Sequence, residues 1–177
     1  AGSWFSPAFC GEPVPRLEPF LQWIRGKARV FLDVKRADLE RLAGLVRRLD
    51  MVDQTLFWFG DDELAARWHR IAPDLALKVN VSSPAELELA RERLGARVIE
   101  VEPRHMTPAL REACRARRVA AMVLETRPDP LAFRRVLEWQ ADMINIDHGD
   151  LFVRVAVAWG SCPSPEYVHG AERRSLG

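Results

Sequence analysis

The sequence predicts an α/β fold, a partial TIM (β/α) barrel of about six parallel βα units. Three features carry that expectation. Strand-like apolar segments recur at a fixed interval, an amphipathic helical stretch fills the gaps between them, and polar residues recur in pairs near the strand ends.

The strand-like segments begin at Arg29 (RVFLDV), Asp53 (DQTLFW), Leu75 (LALKVN), Arg97 (RVIEVE), Val119 (VAAMVL) and Ala141 (ADMINI), spaced by 24, 22, 22, 22 and 22 residues. That interval suits a short strand, a helix of about three turns and two tight loops. Ahead of them, Ala1 to Pro15 reads as a Gly- and Pro-rich loop and Pro15 to Ile24 as a helix. Leu39, Leu42, Leu45, Val46 and Leu49 share one helical face between the first two strands. Glu63 to Ile71 is a further helical stretch. Ser82-Ser83-Pro84 caps and opens a helix to Leu94, which Gly95 stops. Thr107-Pro108 and Pro128-Asp129-Pro130 open two more. For Leu151 to Trp159 the alternation of Val153, Val155 and Val157 favours a strand over a helix. The domain is expected to span residues 1–152, with an irregular or disordered tail over 153–177.

The polar pairs decide between a flat sheet and a barrel. Asp33 with Lys35, Lys78 with Asn80, Glu100 with Glu102, and Asn145 with Asp147 are each two residues apart, so each pair leaves one face of its strand. A doubly wound sheet buries both faces under helices and prefers apolar residues there. A barrel has a mouth where C-terminal strand ends converge and chemistry is done, which favours the barrel. For any one of these residues a structural ion pair is the plainer role; Glu100 and Glu102 copy the spacing of an acidic metal pair, and ion pairing with Lys78 is the expected explanation for them.

Acidic and basic residues nearly cancel, 25 against 26, and the bases are 23 Arg and 3 Lys. Nothing there predicts a nucleic-acid footprint. The longest apolar runs are strand-sized, so no membrane span is expected. Cys10, Cys114 and Cys162 are odd in number and far apart, which points to a reducing, cytoplasmic setting.

Two ends of the chain carry a family resemblance. Ala1-Gly2-Ser3-Trp4-Phe5, then Val14-Pro15-Arg16-Leu17-Glu18 and the strand Phe31-Leu32-Asp33-Val34-Lys35, resemble the middle of the glycerophosphodiester phosphodiesterase family. There a Gly-Ser-Trp-Phe-type loop and an Ile-Pro-Thr-Leu-Glu segment lead into a strand ending Ile-Glu-Ile-Lys. Asn145-Ile146-Asp147-His148, then Asp150-Leu151-Phe152, is similar to the family's Thr-Asp-His-Pro-Asp-Leu-Phe ending.

The resemblance implies that the six strands are the third to eighth of a barrel, and that the family's chemistry is metal-dependent hydrolysis of glycerophosphodiesters in lipid metabolism. It assigns Asp33 to one of three acidic metal ligands and Lys35 to the substrate phosphate. Calcium or magnesium would suit all-oxygen ligands. Asp33 stands where the family has Glu, which shortens its reach by one methylene. The family's His-Arg-Gly, Glu-x-Asp and His-Asp segments, which supply both catalytic His and two metal ligands, do not occur in the sequence and are expected upstream of Ala1. No catalytic residue is therefore assigned, and His69, His105 and His148 are read as structural or solvated. The expectation is a C-terminal portion of such a hydrolase, inactive by itself, whose open barrel edges leave self-association open. The alternative is a non-enzymatic remnant that binds a phosphorylated small molecule or a partner chain.

Overall fold

A computed structural model describes residues 2–160. The chain divides into two compact units, Ala1–Leu77 and Lys78–Gly177.

The first unit contains α1 (Leu17–Ile24), β1 (Val30–Val34), α2 (Leu39–Arg48), β2 (Thr55–Phe59), α3 (Asp62–Ile71) and the first residues of β3 (Ala76–Asn80). β1 lies parallel to β2 from Val30↔Thr55 to Val34↔Phe59, and β2 pairs with β3 through Leu56↔Ala76 and Phe57↔Leu77. Side-chain caps start α2 and α3: Asp38 accepts from the Arg41 N–H at 3.1 Å and Asp61 from the Leu64 N–H at 2.8 Å. Trp68 of α3 packs on Phe57 and Phe59, with ring centroids 4.4 and 5.4 Å away. Alternation then places Leu56 and Trp58 on the other face of β2.

β2 begins at Thr55, two residues later than the sequence predicts, because Val52–Gln54 forms a 3₁₀ turn. Gln54 there has a structural task. Its side-chain oxygen accepts from the Gly26 N–H and its amide donates to the Ala28 carbonyl, both at 3.2 Å, tying down the entry to β1.

The second unit takes the remainder of β3 and adds α4 (Pro84–Leu94), β4 (Val98–Val101), α5 (Pro108–Arg117), β5 (Ala120–Leu124), α6 (Pro130–Glu138), β6 (Met143–Asn145) and α7 (Gly149–Ala158). Every pairing is parallel and joins strands that are consecutive in the chain. Ser83, Thr107 and Asp129 cap α4, α5 and α6, each with Pro at the start of the helix. Gly95 ends α4 in the left-handed conformation at φ 62°. Ile99, Val101, Ala121 and Val123 form a buried core with Leu87, Ala90, Leu110, Cys114 and Val136. One strand face is thus closed by helices.

The strand order β1-β2-β3-β4-β5-β6 settles the sheet class. A doubly wound sheet reverses at a switch point and makes non-consecutive neighbours. A (β/α) barrel adds strands in chain order, as here. The fold is that of a partial TIM-like α/β barrel.

Of residues Leu151 to Trp159, where local propensity favoured a strand, Leu151 to Ala158 belong to helix α7 and Trp159 caps it. Burial alternates there at helical spacing, with Ala156 buried and Val153 exposed, and Phe152 meets Phe133 edge-on at 5.5 Å. Packing against α6 overrides β propensity. The domain boundary expected at 152 consequently falls inside α7, and the tail over residues 161–177, with Cys162, lies outside the described residues. No helix among the described residues is long and apolar enough to cross a membrane.

Candidate functional site

In the first unit, Asp33 and Lys35 stand at the C-terminal end of β1. Alternation puts Phe31, Asp33 and Lys35 on one face and Val30, Leu32 and Val34 on the other. Val30 is buried, whereas Phe31 and Asp33 are exposed. The Lys35 ammonium lies 2.8 Å from Asp33 Oδ1, with the two side chains 72% and 45% exposed. It also sits 4.7 Å from the Trp58 ring, on the strand that pairs with β1. The sequence-predicted acid and base are brought together, and both remain open to solvent.

In the second unit the polar pairs separate into different roles. Lys78 Nζ donates to Glu100 Oε2 at 2.6 Å and to Asn80 Oδ1 at 2.8 Å, and the Lys78 and Glu100 side chains are only 2% and 6% exposed. Asn145 Nδ2 donates to Glu100 Oε1 at 2.9 Å. Both carboxylate oxygens of Glu100 are therefore engaged, as a buried charge requires. The expected Lys78–Glu100 pairing is present, joined by an Asn145 bond that sequence reading missed. Its signal lay in Asn145 recurring at the same strand position as the other polar pairs.

Glu102 is not part of this network; it pairs with Arg104 at 3.0 Å. Past β5, Glu125 is buried and its two oxygens receive the Arg127 guanidinium at 2.8 and 2.9 Å. That bonding holds the Glu125 carboxyl below the usual carboxylate range, against the opposing effect of burial. A hollow of about 210 Å³ opens beyond β3 and β4, lined among others by Asn80, Ser82, Glu86, Glu102 and His105. The Glu86 carboxyl there accepts from the Ser82 hydroxyl and N–H, both at 2.7 Å, which lowers its pKa. His69 lies in α3, His105 closes a 3₁₀ turn and His148 precedes α7.

A divalent hard cation needs about six oxygen ligands, several of them carboxylates. Among the described residues no group of three or more His, Cys, Asp or Glu could hold a metal ion. Asp33 brings one carboxylate, already bonded to Lys35. The described residues by themselves do not fit a resident divalent cation.

Parallel strands joined in chain order define a partial (β/α) barrel protein, here with an exposed acid–lysine pair at the end of β1. The comparisons with solved structures give the family. The glycerophosphodiester phosphodiesterase from Agrobacterium tumefaciens str. C58 is similar at TM-score 0.78 and 33% identity, covering 86% of this chain and 66% of that one. A glycerophosphoryl diester phosphodiesterase from Parabacteroides distasonis ATCC 8503 matches at TM-score 0.66 and 22% identity, covering 85% and 57%. A glycerophosphodiester phosphodiesterase from the same organism matches at TM-score 0.67 and 18% identity, covering 82% and 65%. The latter two speak for the fold alone. This chain belongs to the glycerophosphodiester phosphodiesterase-like family. It spans 57 to 66% of the length of these three structures. No protein-family model and no curated protein matches the sequence.

Proposed function

We propose that this chain is the C-terminal portion of a glycerophosphodiester phosphodiesterase-like hydrolase, contributing strands three to eight, with Asp33 as a metal ligand and Lys35 as a phosphate-binding group. The carrying observation is the solvent-open Asp33–Lys35 pair at the end of β1, in a chain 33% identical to a glycerophosphodiester phosphodiesterase. A phosphodiester is an anion and repels a nucleophile until its charge is offset. Lys35, held by Asp33 and the Trp58 ring, presents an ammonium that can do part of this. When a cation is present, calcium or magnesium would suit oxygen ligands, with Asp33 as one of several carboxylates. The other carboxylates and the proton-transferring His would have to come from elsewhere, so the chain by itself is inactive in this reading. A reducing cytoplasmic location, lipid metabolism and self-association through the strand edges belong to the same proposal.

The test joins the two N-terminal βα units of the Agrobacterium protein to Ala1 and assays cleavage of glycerophosphocholine with calcium or magnesium. The fused protein should hydrolyse the diester and the chain alone should not. Asp33→Asn in the fused protein should weaken cation affinity at least about tenfold, the loss of one charged ligand. Unaltered cation affinity in that variant would remove Asp33 from the site. Phosphate binding by the chain alone, with no cleavage by the fused protein, would favour the non-enzymatic reading.

A further inference from the structure

Lys35 is reached by a ring from the neighbouring strand, and the fold provides the space for it. Trp58 stands level with Asp33 in the parallel pairing of β1 and β2, whose last pair is Val34↔Phe59. One step further along the same register, Lys35 comes opposite Gly60. The Trp58 indole leans that way, since a Cβ at Gly60 would lie 3.6 Å from its Cη2. The backbone at Gly60 is not left-handed, so conformation does not call for glycine there. What the glycine leaves is room opposite Lys35. The indole extends into it, with the ammonium 4.7 Å from the ring centroid.

The plain explanation is a chance meeting of an exposed lysine with an aromatic ring. Lys27 over Trp23, at 4.6 Å, fits that description, because the two are near neighbours in sequence at the end of α1. Lys35 and Trp58 meet only through the pairing of β1 with β2. The Lys35 side chain is 72% exposed, so packing does not hold its flexible four-carbon stem. Asp33 and Trp58 hold it instead, and in different ways. The Asp33 carboxylate, 2.8 Å from the ammonium, is an acceptor that an arriving phosphate would displace. The indole face attracts the charge through its quadrupole and leaves the N–H groups able to turn. Phosphate can therefore take over from Asp33 as acceptor while the ring keeps its place.

An ammonium held in one direction before binding loses less freedom when the anion arrives. We propose that Trp58 is the positioning residue of Lys35, its indole fixing the direction of the ammonium and Gly60 leaving the room in which the ring lies. This rests on the reading of Lys35 as a phosphate-binding group.

The test follows the lysine side chains of the full chain by NMR. Lys27, Lys35 and Lys78 are its only lysines, so isotope-labelled lysine gives a separate Cε–Hε signal for each, and Lys35→Arg assigns the one of interest. A proton over an indole face is shielded, so the Lys35 Hε signal should lie upfield of its position in the urea-unfolded chain. Trp58→Leu should return it to that position, and Trp58→Phe should keep most of the displacement. Gly60→Val crowds the place of the ring and should act like Trp58→Leu, whereas the single methyl of Gly60→Ala meets the ring at ordinary contact distance and should not. Asp33→Asn should leave the signal upfield, because the ring remains. Inorganic phosphate at constant ionic strength should move the parent signal. Trp58→Leu should weaken that binding about two- to fivefold, the scale of an exposed cation–π contact, and Trp58→Phe should recover most of it. A Lys35 signal unmoved in both Trp58→Leu and Gly60→Val overturns the inference. So does a signal that falls to the unfolded position in Asp33→Asn, which would make the carboxylate the positioning group. Phosphate affinity unaltered by Trp58→Leu overturns it while the phosphate reading of Lys35 stands. No phosphate response at Lys35 in the parent chain removes that reading, and the inference with it.

Discussion

Two acid–lysine pairs in this molecule, one within a single strand and one across two neighbouring strands, have opposite fates. Asp33 and Lys35 bond each other in the open, 45% and 72% exposed. Glu100 and Lys78 are almost wholly enclosed, with Asn80 and Asn145 completing their hydrogen bonds. A ligand can compete for the first pair at small cost, because an exposed ion pair is worth little. It cannot compete for the second, where displacement would strand a buried charge. What separates a candidate binding group from a structural brace is therefore the number of partners already satisfied, and not the residue types.

This contrast can be broken by substitution. Glu100→Ala should destabilise the chain by roughly 3–5 kcal/mol, since it removes one partner of a buried ion pair and leaves Lys78 enclosed without its carboxylate. Urea denaturation measures this, and the paired change Lys78→Met with Glu100→Leu should recover most of the loss. A cost below about 1 kcal/mol for Glu100→Ala would mean that the brace is no firmer than the exposed pair. Asn145→Ala should cost about 1.5–3 kcal/mol, the range of a hydrogen bond to a charged group.

The Glu125–Arg127 pair sharpens the contrast through pH. Bonding to Arg127 lowers the Glu125 carboxyl in the folded chain. Its contribution is therefore complete above the unfolded carboxylate value of about 4.3 and is lost as pH falls through the lower folded value. Arg127→Gln raises the folded value, so acid unfolding followed by circular dichroism should begin at higher pH. Smallest of all, Asp33→Asn should shift stability by less than about 1 kcal/mol, because both partners remain hydrated. A larger loss would show that Asp33 is a brace as well.

Much of the architecture was legible because each repeat is specified locally. The interval of 22 residues, the Ser83, Thr107 and Asp129 caps with their following prolines, and the stop at Gly95 all act within a few residues of themselves. The errors arose where a distant partner decided. Val153, Val155 and Val157 look like a strand until α6 offers Phe133 to Phe152. Asp53 and Gln54 look like strand residues until Gln54 is seen bridging Gly26 and Ala28. At the site, the pairing of Asp33 with Lys35 follows from their spacing, whereas the Asn145 bond to Glu100 spans 45 residues, so the strand position of Asn145 marks it as polar and inward without naming its partner.

Joining each strand only to the next in sequence has a consequence for how the protein is made. Each pairing then closes a loop little longer than the crossover a parallel pair needs, which keeps the entropy cost of each step small. Helices α2 to α6 also begin on a side-chain hydrogen bond reaching no more than three residues ahead, as at Asp38, Asp61 and Ser83. Synthesis from the amino end can therefore add one finished turn of architecture at a time, with about 22 residues emerging between successive pairings. A pause in translation after Gly95 or Arg118 would leave completed repeats behind it.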